Sequence, residues 1–133
     1  MNRFIAQIAL VVRDYDEAIR FYQEKLGFVL AEDTPLSTSK RWVRMSPSHA
    51  QGCCLLLAKA SGEYQATRIG NQTGGRVFLF LYTDDFERDF NTMQSKGVNF
   101  VRPPKSEPYG KVAVFEDLYG NLWDLIEPVP AQM

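Results

Sequence analysis

The chain carries one short pattern twice, first as Leu10-Val11-Val12-Arg13-Asp14-Tyr15-Asp16-Glu17 and again as Leu81-Tyr82-Thr83-Asp84-Asp85-Phe86-Glu87-Arg88. In both copies aliphatic residues typical of a strand run into an aspartate that can cap a following helix. The copies lie about 71 residues apart, and a glycine, Gly27 or Gly97, ends each predicted helix. This self-similarity indicates a duplicated supersecondary unit, whose two copies close a core that neither closes alone. Chance similarity between two common strand–helix units is the alternative.

Each copy is predicted to fold as strand, helix, strand, strand, strand. In the first copy the strands cover 5–12, 28–30, 41–45 and 53–59, and the helix covers 14–26. In the second copy the strands cover 77–83, 98–101, 112–115 and 121–127, with a helix at 84–96 and a loop at 103–110. We therefore expect an α+β fold in a single domain, 1–133, with module 1 at 1–60, a linker at 61–75 and module 2 at 76–133.

Length and composition exclude several classes of protein. A chain of 133 residues with 45% hydrophobic and 23% charged residues suits one globular domain. The net charge of −1 offers no broad positive surface to nucleic acid, and the apolar run 8–12 is too short to cross a membrane. The adjacent Cys53 and Cys54 are unsuited to a secreted disulfide framework. We therefore expect a cytoplasmic protein with neither nucleic-acid nor membrane partners.

The end of the chain carries the most specific family signature. Residues 115–125 read FEDLYGNLWDL, which is similar to the pattern F-x-D-P-x-G-N-x-x-E-L. Together with the paired βαβββ units and the helix that ends in Leu26-Gly27-Phe28, this stretch resembles the vicinal oxygen chelate superfamily. That superfamily includes glyoxalase I, bleomycin-resistance proteins, fosfomycin-resistance enzymes and extradiol dioxygenases. The resemblance implies mixed sheets curled around a cavity, and pairing of two chains as a homodimer.

The resemblance also implies where a metal would be held, because enzymes of the superfamily place metal ligands on the first and last strands of each module. Three of those positions carry Gln7, Phe78 and Asp124, and the fourth falls within 54–56, where there is no carboxylate. Two donors are fewer than the three or four that a divalent ion needs. We therefore expect no metal and no other cofactor. A site formed by Gln7, Asp124 and the Cys54 thiolate is the alternative.

Without a metal, strand alternation predicts a pocket with aromatic walls and a few polar anchors. Each kind of candidate also has a purely structural interpretation. The aromatic rings would belong to the core, Gln7 would be a core amide with its hydrogen bonds satisfied, and Arg44 would discourage aggregation at a strand edge. The ligand-binding residues that we expect are Gln7, Trp42, Arg44, Arg76, Phe78, Phe80 and Tyr109.

Asp124 is the candidate catalytic residue. A carboxylate in the middle of an apolar strand has a raised pKa unless it is paired, and such a group can act as a general base or acid. A structural ion pair with Arg44 or Arg76 is the alternative.

Three functions agree with these features. The first, which we favour, is a protein of the glyoxalase and bleomycin-resistance type that binds a small, partly apolar molecule in a dimer cavity without a catalytic metal. The second is a glyoxalase-like isomerase or lyase, in which Asp124 transfers a proton and Gln7 orients a substrate oxygen. The third is an interaction module without catalysis.

Overall fold

Two four-stranded sheets form the framework of the protein. The structure is a computed structural model, and it describes residues 2–49 and 52–130. The described part divides into two compact units, one that ends at Gln72 and one that begins at Thr73.

Both units follow the predicted order of elements. The elements of the first unit are β1 (Gln7–Val12), α1 (Tyr15–Glu24), β2 (Val29–Pro35), β3 (Arg41–Ser46), β4 (Cys54–Lys59) and a short helix α2 (Gly62–Ala66). The elements of the second unit are β5 (Val77–Tyr82), α3 (Phe86–Ser95), β6 (Phe100–Glu107), β7 (Gly110–Glu116) and β8 (Leu122–Pro128).

The two sheets have the same topology. Their strand orders are β1-β4-β3-β2 and β5-β8-β7-β6, and neither sheet is closed. In each sheet the first and last strands of the unit pair in parallel, while the other pairs are antiparallel. The α+β fold with two βαβββ modules is therefore confirmed. No helix among the described residues is long and apolar enough to cross a membrane.

Both long helices begin and end within two residues of the predicted bounds. Asp14 accepts a hydrogen bond from the backbone N–H of Glu17 at 2.9 Å, and Asp85 accepts one from the N–H of Arg88 at 3.1 Å. These bonds satisfy donors that the first turn of a helix leaves without a partner. At the other ends Gly27 and Gly97 have φ angles of 73° and 88°, a conformation that glycine adopts without strain.

Each sheet turns one face towards its long helix. In the first unit α1 packs on β2, β3 and β4, and in the second α3 packs on β8. The buried side chains of the helix-facing side are Leu10, Val12, Val43, Met45, Leu55 and Leu57 in the first sheet and Ala113, Phe115, Trp123 and Leu125 in the second. Because successive side chains of a strand alternate, the residues between them point to the opposite side. We call this side the far face; it includes Ala9, Arg44 and Leu56 in the first sheet and Phe80, Val114 and Asp124 in the second.

The prediction of a loop at 103–110 is wrong for most of these residues, because β6 continues to Glu107. This strand contains Pro103 and Pro104, which cannot donate backbone hydrogen bonds. In the part of the chain that the structure describes it pairs with β7 alone, at the edge of the sheet, and its register shifts between Arg102 and Lys105. An edge position with a bulge is where a strand tolerates proline.

The segment 61–75, interpreted from the sequence as a linker, contains the unpredicted helix α2. This helix has only five residues and buries none of them. It therefore leaves no apolar periodicity in the sequence from which a helix could be predicted.

A buried turn at Asp117 leads into β8. One carboxylate oxygen of Asp117 accepts the backbone N–H groups of Tyr119 and Asn121 at 3.0 and 2.9 Å. The other oxygen accepts the side-chain amide of Asn121 at 3.0 Å. Asp117 and Asn121 are almost completely buried. The turn therefore fixes the start of β8, and with it the face on which Asp124 lies.

We expect Asp117→Ala to lower the free energy of unfolding by about 3 kcal/mol, because it leaves buried N–H donors without their acceptor. Urea denaturation followed by circular dichroism measures this loss. Leu118→Ala, a partly exposed position in the same turn, is the control and should change stability by less than about 0.5 kcal/mol. Equal stability of the two variants would contradict the structural role of the Asp117 carboxylate.

Candidate functional site

One row of side chains crosses the far face of the second sheet. Strand register places Phe80 beside Asp124, Asp124 beside Val114, and Val114 beside Arg102. The row therefore runs from an aromatic ring through a carboxylate and an aliphatic side chain to a guanidinium. The structure thus brings together two of the residues that the sequence singles out, Phe80 and Asp124.

The carboxylate of Asp124 is half-buried and forms no hydrogen bond or ion pair with any other described residue. Burial raises its pKa above the ordinary value, because desolvation disfavours the charged form. Arg102 lies on the other side of Val114, and its positive charge lowers the pKa of Asp124. The ion pair with Arg44 or Arg76, which was the alternative, is not formed among the described residues: Arg44 pairs with Glu32 in its own unit, and no salt bridge joins Arg76 to Asp124.

Sequence reasoning missed Arg102. The residue lies next to two prolines, just beyond the predicted end of its strand at 101. Its position opposite Val114 depends on the bulged pairing of β6 with β7. No local pattern in the sequence gives that register.

The rings of Phe80 and Tyr82 are the most exposed aromatic side chains of the second unit. Phe80 is 60% exposed and Tyr82 is 66% exposed, and both lie on the far face of the edge strand β5. Phe78 is half-buried and lies where the pairing of β5 with β8 is irregular. Arg76 precedes β5 and is exposed, and Tyr109 is exposed in the turn between β6 and β7, away from the row.

The far face of the first sheet carries the other candidates. Gln7 is half-buried opposite Cys54, and Arg44 lies opposite Leu56 and beside Glu32. Trp42 is two residues before Arg44 on β3 and therefore shares its face. One terminal nitrogen of Arg44, Nη1, lies 3.5 Å from Glu32, and the other, Nη2, lies 3.9 Å from the sulfur of Cys54.

The residues at the family's metal-ligand positions do not fit a metal ion. Ala9 pairs with Leu56 as Phe80 pairs with Asp124, so Leu56 is the counterpart of Asp124 in the first unit. The four positions are thus Gln7, Leu56, Phe78 and Asp124, of which two offer only carbon. Residues 2–49 and 52–130 contain no group of three or more His, Cys, Asp or Glu side chains arranged to hold a metal.

We expect the stability of the protein to depend on the ionisation of Asp124. The carboxyl group of Asp124 keeps its proton to a higher pH in the folded chain than in the unfolded chain, where its pKa is the ordinary 3.8. As pH rises above 3.8, this group therefore lowers the stability of the folded state. Asp124→Asn removes the effect. The variant should melt at or above the wild-type temperature at pH 7, and the difference should shrink as pH falls towards 4.

Differential scanning calorimetry across this pH range measures the difference. Asp84→Asn is the control, because the Asp84 side chain is 90% exposed and the substitution should give no gain at pH 7. A difference between Asp124→Asn and wild type that stays constant with pH would contradict the raised pKa.

Comparison with known proteins agrees with this fold. The sequence profile described as Glyoxalase/Bleomycin resistance protein/Dioxygenase superfamily matches residues 4–125. An uncharacterized protein of Shewanella frigidimarina is 62% identical over 128 residues, which are 96% of this chain and 95% of that protein.

Two crystal structures are similar over nearly their whole length. UcmS2 is 27% identical with a TM-score of 0.83, and the match covers 96% of this chain and 99% of that one. TnmS3, described as an antibiotic binding protein from Streptomyces sp. CB03234, is 30% identical with a TM-score of 0.76, and the match covers 96% and 97%. The chain therefore belongs to the glyoxalase/bleomycin resistance protein/dioxygenase superfamily.

Proposed function

We propose that the protein binds a small, partly aromatic molecule on the far face of its second sheet, without a catalytic metal. The observation that carries the proposal is the pair of exposed rings, Phe80 and Tyr82, beside the carboxylate of Asp124, which has no partner among the described residues. The proposal includes the homodimer and the dimer cavity that the resemblance implies. It also includes a cytoplasmic location, with which the free thiols of Cys53 and Cys54 agree.

The aromatic pair supports binding of a flat, apolar molecule. Phe80 and Tyr82 are two residues apart on one strand, so their Cα atoms are separated by about 7 Å. Large apolar side chains that cluster at a surface mark binding surfaces more often than isolated ones do. Two neighbouring rings offer a stacking surface, and a ligand that covers them removes apolar area from water.

The carboxylate supplies the polar contact that fixes a ligand in an otherwise apolar site. Asp124 already bears part of the desolvation penalty, and among the described residues it has no donor to compensate it. A ligand N–H or O–H group that donates to Asp124 would supply the missing hydrogen bond. Arg102, one strand further across the sheet, is the nearest source of opposite charge in the row.

The similarity to TnmS3 supports the size and type of the ligand. That protein is described as antibiotic binding and is 30% identical to this chain over 96% of its length. We extend this description to the present chain as part of the proposal and infer an antibiotic-like ligand; the exposed rings of Phe80 and Tyr82 favour one with a planar ring system.

A second candidate function is proton transfer by Asp124 in a glyoxalase-like isomerase or lyase. The raised pKa of Asp124 favours it, because a higher pKa makes a carboxylate a stronger base for accepting a proton from a substrate. Binding is preferred because it requires only the rings and the carboxylate of one sheet.

We expect the double variant Phe80→Ala/Tyr82→Ala to lose binding of planar antibiotics with little loss of stability, since both rings are mostly exposed. Doxorubicin, whose fluorescence changes when it stacks, is the first probe of a panel of planar antibiotics. The loss of two stacked rings should weaken binding about tenfold or more.

Tyr64→Ala is the matched control, because Tyr64 is an aromatic residue that is 76% exposed on α2, in the other unit. This control should bind the probe as wild type does. Failure of wild type to bind any member of the panel would contradict the proposed function, and conversion of a bound compound into a product would favour the enzymatic alternative.

We expect purified protein to contain far less than one equivalent of nickel, zinc, iron or manganese. Gln7 and Asp124 are the only donors at the four ligand positions, and two donors do not hold a divalent ion firmly. Inductively coupled plasma mass spectrometry of protein dialysed without chelator measures this content. One equivalent of any of these metals, lost in Asp124→Asn, would contradict the proposal that binding needs no metal.

A further inference from the structure

Strand β3 carries two arginines that differ in how completely their donors are used. Arg41 donates from Nε and Nη2 to the two carboxylate oxygens of Asp33 at 3.1 and 2.7 Å, and from Nη1 to Asp16 at 2.9 Å. Its guanidinium also lies 5.1 Å from the centre of the Tyr15 ring. Arg41 therefore has a structural role, because it joins β2 and β3 to α1 through a paired and stacked guanidinium.

Arg44 lies on the far face of the same strand, and most of its hydrogen-bond donors lack a good acceptor among the described residues. Its side chain has five N–H donors. The structure gives it two long contacts, from Nη1 to Glu32 at 3.5 Å and from Nη2 to the Cys54 sulfur at 3.9 Å. Its Nε is buried and has no hydrogen-bond partner within the described ranges. Because a buried donor without an acceptor destabilises a fold, folding alone does not explain this arginine.

The pair with Glu32 does not neutralise Arg44 firmly. Both side chains are partly exposed, at 31% and 39%, and their contact is a single long one. Exposed pairs of this kind contribute little and exchange readily with other partners. The outer nitrogens of Arg44 are therefore available to a stronger anionic group.

The surroundings of Arg44 are apolar and partly aromatic. Trp42 precedes it on the same face of β3 and is half-buried, and Leu56 lies opposite it on β4. Cys54, two residues before Leu56 on β4, is buried and pairs with Gln7 of β1. A guanidinium beside an indole offers a charged contact and a stacking surface to the same molecule.

We propose that the far face of the first sheet binds the carboxylate group of an aromatic acid, with Arg44 pairing with the carboxylate and Trp42 covering the ring. The sequence already predicts Arg44 and Trp42 to bind a ligand; the proposal gives them a ligand class of their own and uses none of the residues of the second sheet. Planar carboxylates match the fork of a guanidinium, and charge-assisted hydrogen bonds of this type are roughly twice as strong as neutral ones. The carboxylate of Glu32 competes with the ligand for Arg44.

The test compares 2-naphthoate with 2-naphthamide, which has the same ring system without the charge. Binding is followed by the indole N–H resonances of the two tryptophans in nitrogen-15 NMR spectra. The Trp42 signal should shift, whereas that of Trp123, which is 3% exposed on the helix-facing side, should not. Wild type should bind naphthoate at least about tenfold more tightly than naphthamide.

Four variants distinguish a binding role of Arg44 from a structural one. Arg44→Gln should abolish the preference for naphthoate without lowering the melting temperature, and Arg44→Lys should restore only part of it, because lysine keeps the charge but not the fork. Glu32→Gln should tighten naphthoate binding, since it removes the competing carboxylate. Arg41→Gln is the matched control and should lower the melting temperature while leaving the preference unchanged.

Absence of naphthoate binding to wild type, or equal affinity for the two probes, overturns the proposal. An unchanged preference in Arg44→Gln also overturns it. If Arg44→Gln does not fold, the opposite shift expected for Glu32→Gln decides the question, and unchanged or weaker naphthoate binding by that variant overturns the proposal. The doxorubicin experiment on Phe80→Ala/Tyr82→Ala is independent, so the failure of either site is distinguishable from that of the other.

Discussion

The architecture depends on a single constraint, which is that each four-stranded sheet has one long helix and therefore buries one face beneath it. The side-chain period of two then divides every strand into residues that must be apolar and residues that need not be. Leu10, Val43 and Leu57 fill the space under α1, and Phe115 and Leu125 fill the space on the helix-facing side of the second sheet. The far faces are released from that requirement and can carry charged and aromatic groups.

Duplication allows the two far faces to differ on one scaffold. The equivalent rows are Ala9–Leu56–Arg44–Glu32 in the first sheet and Phe80–Asp124–Val114–Arg102 in the second. Each row contains one acid and one arginine. In the first they occupy neighbouring strands and are in contact, whereas in the second Val114 separates them and the acid has no direct partner within residues 2–49 and 52–130. The positions of the acid and the arginine within each row thus decide whether the two come into contact.

The sequence predicted the features that depend on local chemistry. Asp14 and Asp85 cap their helices because an aspartate before an apolar stripe is a local signal, and the loss of ligand positions follows from counting along aligned repeats. It did not predict the path of β6 through Pro103 and Pro104, or the place of Arg102 in the row. Both depend on bulged pairing between strands, which leaves no trace in the spacing of apolar residues. The long hydrogen-bond distances of the Arg44 guanidinium likewise cannot be predicted from the sequence, because they depend on how side chains of three strands are placed.

The degree to which polar groups are satisfied separates structural residues from residues open to a ligand. Asp117 and Arg41 engage both oxygens or all three guanidinium nitrogens with protein partners, so the fold itself accounts for them. Asp124 and Arg44 are partly removed from water without equivalent partners. An apolar residue at either position would avoid the desolvation penalty and would suit a purely structural sheet better. Stability therefore does not explain their presence, and the two proposed ligands would supply the missing donors and acceptors.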